Sequence, residues 1–493
     1  MNDRSHTRLE LIAAFLLGGL LCPDFAQAAA LALEPCRVAD PDGLVSVEAR
    51  CGKLAVAEDP ADPQGVKIDL AVAVVPAVAT RAQPDPLFLI AGGPGQGAIQ
   101  GYAPILGAFA GIRRERDLVL VDQRGTGGSN RLDCPMDDVA LSTGELSPAE
   151  MRELARECLG QLEARPQFYT TSIAVQDLDA VRAALGYSRI NLFGGSYGTR
   201  VAQHYARRFP ERTRAIVLDS VVPPELALVP RIAIESQAAL DGLFARCQAD
   251  PACNERFPDL AGQFRLLDER LRRAPASIPF ADPVDGTTTE LEVTRAHLVT
   301  MARMLTYSAR AASLLPLVVH EAATRGNYAP LAAQAEMIGE DLGEMIAMGM
   351  HHSVVCAEDA PRFEGAVDRA ELARTYIGTQ MLDGMEAICE IWPRGAVDQD
   401  FHEPLRSQVP ALLISGEFDP ATPAAYGAAA AAGFGNARHL VVPGQGHGQM
   451  RLPCVQRLLR QFIDSGSPAR LDAACVDEIR PAPFFLSFSG PSP

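Results

Sequence analysis

Lysine is nearly absent from this chain of 493 residues: Lys53 and Lys67 are the only two. Neither follows a loop of the form G-x-x-x-x-G-K-[ST], so a P-loop nucleotide hydrolase is excluded, and Schiff-base chemistry has little to work with. Positive charge is short overall. The net charge is −17 and no basic cluster stands out, which argues against nucleic acid as a partner, because phosphate contacts need grouped Lys and Arg. No two cysteines stand in a C-x-x-C spacing, so a metal site has no support, and no cofactor is expected. Beyond the N-terminus no apolar run approaches the roughly 20 residues that span a bilayer, so stable membrane insertion is not expected either. No internal repeat is present. What remains is 48% hydrophobic and 21% charged, an ordinary globular composition that excludes disorder, collagen and coiled coil.

Residues 1–28 carry Arg4 and Arg8, an apolar run at 11–21 and a small-x-small site at Ala26-Gln27-Ala28. This is the pattern of a secretory leader cleaved after Ala28, so the expected location is exported, periplasmic or secreted. Cys22 follows two bulky leucines, which disfavours lipid attachment there. Ten cysteines lie beyond the leader, an even number in neighbouring couples. In an oxidising compartment the simplest connectivity closes the short loops: Cys36–Cys51, Cys134–Cys158, Cys247–Cys253, Cys356–Cys389 and Cys454–Cys475.

Short apolar runs bounded by Gly, Pro or Asp recur at 87–90, 118–121, 190–193, 216–218, 411–414 and 439–442, with a looser strand pattern at 68–75. Such runs suit strands buried on both faces of a mostly parallel sheet. Helical spacing over 173–185, stopped by Gly186, and over 199–209, stopped by Pro210, supplies the alternation of an α/β fold. That alternation breaks between Val222 and Glu403, where helical segments such as 232–246, 260–273 and 297–324 dominate. The expected architecture is an α/β core in two parts, 29–222 and 404–493, interrupted by a helical cap insertion at 223–403. The methionine-rich stretch 337–350 reads as core packing, and the tail after Pro481 offers no chemistry.

Gly194-Gly195-Ser196-Tyr197-Gly198 has the form G-x-S-x-G between a strand and a helix, the context in which a sharp turn lifts a serine above the sheet. A serine at its free pKa is a poor nucleophile and needs a base, which needs an acid to orient it. In an α/β hydrolase these follow in the order Ser, acid, His. His447 sits in a Gly-rich loop after a late strand and is the candidate base. Asp419 follows the strand before it and is the candidate acid, with Asp219, one strand after the serine, as rival. The oxyanion of a tetrahedral intermediate needs fixed N–H donors. Tyr197, next to the nucleophile, should give one. The loop Ala91-Gly92-Gly93-Pro94-Gly95 should give the other, from Gly93, since Pro94 has no N–H.

These motifs resemble the prolyl and tripeptidyl aminopeptidases, serine exopeptidases of the α/β-hydrolase fold. The likeness is carried by Gly92-Gly93-Pro94-Gly95, Asp122-Gln123-Arg124-Gly125-Thr126-Gly127, Gly195-Ser196-Tyr197-Gly198-Thr199, Asp419-Pro420-Ala421-Thr422-Pro423 and Gly446-His447, and more loosely by residues 49–60. Ala91 stands where prolyl members carry His, which leans toward the tripeptidyl branch. The resemblance implies short peptide substrates cut from a free N-terminus, with the cap limiting access. It places Asp122–Gly127 beside the site, although an ion pair of Arg124 in a glycine turn accounts for that motif by itself. An ammonium needs a paired negative charge. Glu358, held by the Cys356–Cys389 bridge in a region where family members look similar, is the candidate, while a metal at His351-His352 is disfavoured because adjacent helical histidines diverge. Two other readings compete: a carboxylic-ester hydrolase using the same serine, and a non-catalytic peptide-binding protein. Composition and motifs leave the oligomeric state open.

Overall fold

The computed structural model describes residues 31–41, 43–134, 146–281 and 286–491. The leader read at 1–28, with Cys22, lies outside the described residues. Among the described residues eleven strands are formed: β1 (Glu34–Ala39), β2 (Ser46–Ala57), β3 (Lys67–Val75), β4 (Leu87–Ile90), β5 (Leu118–Val121), β6 (Ile190–Gly195), β7 (Thr213–Asp219), β8 (Ala276–Ala281), β9 (Thr288–Val293), β10 (Ala411–Gly416) and β11 (Ala437–Val442). Nine of them make one sheet in the order β1-β2-β3-β5-β4-β6-β7-β10-β11. From β5 to β11 all neighbours are parallel, while β1, β2 and β3 join antiparallel at one edge.

The uninterrupted apolar runs follow from this arrangement. Alternate residues of a strand face opposite sides, so a strand covered on both sides must be apolar throughout. Phe88, Ile90, Val119, Val121 and Leu192 face one layer, with the helices Thr171–Ala184 and Tyr197–Arg208 against them. Leu87, Leu89, Leu118, Leu120 and Phe193 face the other, against Phe109 and the helix Pro453–Ser465.

The cap has its own apolar cluster, built from Leu240, Phe264, Leu298, Met301, Leu315 and Val319 among others. It is not wholly helical: β8 and β9 form a separate antiparallel hairpin that the sequence pattern did not suggest. Two departures blur the expected boundaries. Phe484 of the tail joins the cap cluster, and Phe485 N–H donates to the Ser313 carbonyl at 3.0 Å, so the tail packs on the cap. Conversely, Ala347, Met350 and Val354 from the cap pack into the α/β core. Within the methionine-rich stretch Met350 is fully buried but Met337 is exposed, so that stretch is core packing only at its C-terminal end. The five cysteine couples are all joined as disulfides in the structure: Cys36–Cys51, Cys134–Cys158, Cys247–Cys253, Cys356–Cys389 and Cys454–Cys475. Among the described residues no helix is long and apolar enough to cross a membrane.

Candidate active site

Ser196 is the residue between β6 and the helix Tyr197–Arg208, and its backbone is forced to φ 54°, ψ −125°. A side chain other than Gly rarely tolerates such a conformation. The turn is possible because its flanking glycines leave room. A Cβ on Gly194 would run into the Gly198 carbonyl, and one on Gly198 into the carbonyl of Ile90. Ser196 N–H donates to the Asp219 carbonyl at 2.9 Å, and the Ser196 carbonyl accepts from Thr199 Oγ1 at 2.6 Å, which pins the turn from both sides.

Gly92 lies directly on the serine: a Cβ there would be 3.1 Å from Ser196 Cβ. The N–H groups of Gly93 and Tyr197 have no acceptor among the described residues. Tyr197 opens its helix, so its N–H is one of those a helix leaves unpaired at its positive end. Both N–H groups therefore lack a partner within the described residues.

His447 follows β11 and Asp419 follows β10. His447 Nδ1 lies 2.9 and 2.8 Å from the two Asp419 oxygens. The carboxylate is fixed in turn by the N–H groups of Ala421 (2.9 Å) and Thr422 (2.8 Å) and by Thr422 Oγ1 (2.8 Å). Burial by itself would lower the pKa of His447, but the Asp419 charge and hydrogen bond outweigh it and raise the imidazole above its ordinary value. Burial opposes the ionised form of Asp419, yet His447 and the Thr422 and Ala421 donors hold that carboxyl below its usual range. No hydrogen bond joins His447 to Ser196 Oγ among the described contacts. Such bonds are commonly long in unliganded hydrolases and tighten with substrate.

Asp219 is near both groups but does something different. It ends β7, and its Oδ2 accepts from Gln449 N–H at 2.8 Å, while the next residue, Ser220, accepts from Gly448 N–H through Oγ at 2.8 Å. Together with the bond from Ser196 N–H, this ties the nucleophile turn and the His447 loop to one strand end. Its Oδ1 is buried without a partner, and burial pushes its pKa up to about 6.

The cap touches the base directly. His447 N–H donates to the Tyr307 carbonyl at 2.6 Å, and the Tyr307 ring lies against the imidazole with centroids 5.0 Å apart. This explains why residues 297–324 form three helices instead of one continuous segment. The helix Arg295–Thr306 stops where the next carbonyl turns to the His447 loop. At the Gly92–Gly95 loop, Ala347 N–H donates to the Gly95 carbonyl at 3.0 Å and His351 Nδ1 approaches the Pro94 carbonyl at 3.2 Å. His351 and His352 are both held neutral by burial, and among the described residues no group of three His, Cys, Asp or Glu could hold a metal.

Glu358, the candidate partner for a substrate ammonium, lies in the cap beside the Cys356–Cys389 bridge. It lies in a widened helical turn, Val355–Asp359, and is entirely buried. Its oxygens accept from Thr171 N–H (2.7 Å) and Thr171 Oγ1 (3.0 Å). Thr171 Oγ1 in turn is 2.5 Å from Tyr197 Oη, which also accepts from Gln123 Nε2 at 3.1 Å. The carboxyl is therefore linked through Thr171 to Tyr197, the residue after Ser196. Burial raises its pKa to about 7. The same chain brings the Asp122–Gly127 motif to the site through Gln123, while Arg124 is buried on Asp177 at 2.6 and 2.8 Å, the ion pair the bland reading required. No sequence signal pointed to Thr171 or Tyr307, since both act through contacts between distant segments.

Ser196, Asp219, Asp419, His447 and the Gly92-Gly93 loop all stand at the carboxyl ends of parallel strands, where open α/β sheets carry their sites. This is an α/β-hydrolase fold carrying a candidate serine, histidine and acid at the place where such sheets hold their sites. Residues 374–475, which include Asp419 and His447, match the family described as TAP-like protein. The chain is 31% identical over 237 residues to the serine protease Hip1 of Mycobacterium tuberculosis, covering 44% of this chain and 45% of that one. It is 33% identical over 191 residues to a tripeptidyl aminopeptidase of Streptomyces lividans, covering 36% of each. A putative hydrolase of Escherichia coli, YuaR, matches at 25% identity over 77% of this chain and 78% of that one. The chain spans about half the length, or less, of the first two relatives. Among solved structures, a proline iminopeptidase of Mycobacterium smegmatis aligns over 85% of this chain and 99% of that one, at 16% identity and a TM-score of 0.43.

Proposed function

We propose that this protein is an exported serine exopeptidase that releases short fragments from the free N-terminus of peptides. Ser196 Oγ attacks the scissile carbonyl as His447 takes its proton. The N–H groups of Gly93 and Tyr197 hold the oxyanion, and His447 then passes the proton to the leaving amine. Water reverses the sequence to free the acyl group from Ser196. Asp419 keeps Nδ1 protonated, so that Nε2 is the basic nitrogen, and stabilises the imidazolium.

The observation that carries the reading is the Asp419–His447 pair, braced by Thr422 and tied through Asp219 to a serine turn with two unpaired N–H groups. The cap supports an exopeptidase in preference to an endopeptidase, because its segments at Tyr307 and at Ala347–His351 lie on the His447 loop and on the Gly92–Gly95 loop. A long folded chain would have to displace both. The name of the Streptomyces relative points the same way. The five disulfides support an oxidising compartment, periplasmic or outside the cell.

The test is a panel of peptide amides with free and acetylated N-termini, run beside short-chain esters. Cleavage of the free-amine series, blocked by acetylation and lost in Ser196→Ala together with fluorophosphonate labelling, is the expected result. Rapid ester turnover with no peptide cleavage would replace the peptidase by an esterase. A folded protein that neither labels nor turns over would leave a binding protein.

A further inference from the structure

Arg303 stands on the last turn of the cap helix Arg295–Thr306, four residues before the tyrosine that lies against His447. It is half-buried and has no carboxylate partner among the described residues. Its Nη2 donates to Tyr307 Oη at 3.0 Å, with the guanidinium carbon 5.6 Å from the centre of that ring. Nη1 finds only the thioether sulfur of Met304 at 3.8 Å, a weak acceptor. Nε is sealed from water and has no acceptor at all. Two other buried arginines, Arg200 and Arg295, each have a carboxylate. Arg200 pairs with Asp359 at 2.9 Å and Arg295 with Asp268 at 2.8 Å.

Several groups feel the Arg303 charge: His447 from the core, Tyr376 from the cap, and His351 from the segment over Pro94. The guanidinium is therefore beside the candidate site, with most of its five N–H donors unused. A partly desolvated cation in this state is unfavourable until an anion arrives. The planar fork of an arginine matches a carboxylate, with two parallel N–H···O bonds, better than any other common anion in a peptide. Tyr307 Oη accepts from Arg303 and keeps its own proton to donate to the same oxygen.

We propose that Arg303, with Tyr307 Oη, binds a carboxylate of the substrate on the leaving-group side of the scissile bond. The side follows from chemistry: His447 must hand its proton to the leaving amine, and Tyr307, which anchors the arginine, is the residue against His447. The inference rests on the peptidase reading for its substrate class. The carboxylate has two sources, the C-terminus of a short peptide or an acidic side chain in its departing portion.

The experiment measures short peptides as competitors of a neutral chromogenic ester. Three forms of one sequence are compared: free C-terminal acid, C-terminal amide, and the amide with an acidic residue in the departing part. Wild type should bind one or both carboxylate forms about 10–100-fold tighter than the plain amide, the range for charge-assisted hydrogen bonds. Arg303→Gln should bring that ratio to about one, and Arg303→Lys should restore part of it. Because the ratio is taken within each protein, a general loss of activity does not obscure it. Equal binding of all three forms by wild type, or an unchanged ratio in Arg303→Gln, would overturn the proposal. Peptides that compete with the expected ratio but are never cut would overturn the peptidase reading and leave the carboxylate site standing.

Discussion

Replacing Asp419 by Asn tests the site most sharply, because its hydrogen bonds dictate what the amide must do. Oδ1 accepts two backbone N–H groups, from Ala421 and Thr422. An –NH2 cannot face two donors, so the amide oxygen must take that position and the –NH2 must take the position of Oδ2. There it points at Thr422 Oγ1 and at His447 Nδ1, which lies 2.8 Å away. Nδ1 then becomes an acceptor, the imidazole proton moves to Nε2, and the base can no longer take the proton of Ser196. The equivalent change in other serine proteases lowers kcat by about 10⁴. That corresponds to roughly 5.4 kcal/mol at about 1.36 kcal/mol per tenfold. Asp219→Asn makes the contrast. Only Oδ2 has a partner, the N–H of Gln449, and an amide oxygen serves it equally well, so the expected loss is under about tenfold. Steady-state kcat on an ester, with the rate of fluorophosphonate labelling beside it, measures both. The pH profile adds a second readout. Since His447 must be neutral to act, wild-type activity should rise with pH through a pKa above 6.5, held up by Asp419. In Asp419→Asn burial is opposed only by the smaller influence of Asp219, and the acid limb of the residual activity should move down. A larger loss from Asp219→Asn than from Asp419→Asn would refute this assignment of the acid.

Three further outcomes are expected. Gly194→Ala should destabilise the protein by at least the ~1–3 kcal/mol of an overpacked core, because the new methyl meets the Gly198 backbone and no side chain can move aside; an unchanged melting temperature would contradict the tight turn. Glu358→Gln should raise stability at pH 8. A carboxyl raised from 4.5 to about 7 binds its proton more tightly when folded, so the wild type is most stable below about pH 4.5 and loses stability as the pH climbs to about 7. The variant escapes that loss, by up to about 3 kcal/mol, and thermal melts should converge at acid pH; a gap independent of pH would show that the Glu358 proton is not involved. Finally, mass spectrometry of unreduced peptides should find all five cysteine couples joined and no free thiol among them. A free Cys356 would undo the bridge beside Glu358.

The amino-acid sequence by itself determined the parts whose cause is local. A strand buried on both faces has to be an unbroken apolar run, so β4 and β5 were legible to the residue, and β6, β7, β10 and β11 to within a few residues. The serine turn needs glycines two residues to either side, whatever surrounds it, and a Gly-rich loop after a late strand marks His447. The tertiary structure alone decided what depends on segments far apart in the chain meeting. The edge strand β1 and the hairpin β8–β9 carry no comparable signal, because edge and surface strands need no continuous apolar run. The choice between Asp419 and Asp219 turned on which carboxylate reaches His447 Nδ1 and which reaches the Gln449 backbone, a difference of direction and not of residue type. Glu358 was read as the partner of a substrate ammonium from its place beside a cysteine, and only the fold shows that it packs against Thr171, 187 positions away in the chain. Tyr307 ends its helix for the sake of a loop 140 residues later. Such contacts are set by how the cap sits on the sheet, and burial, which decides the charge and partners of each group, exists only once the two have packed together.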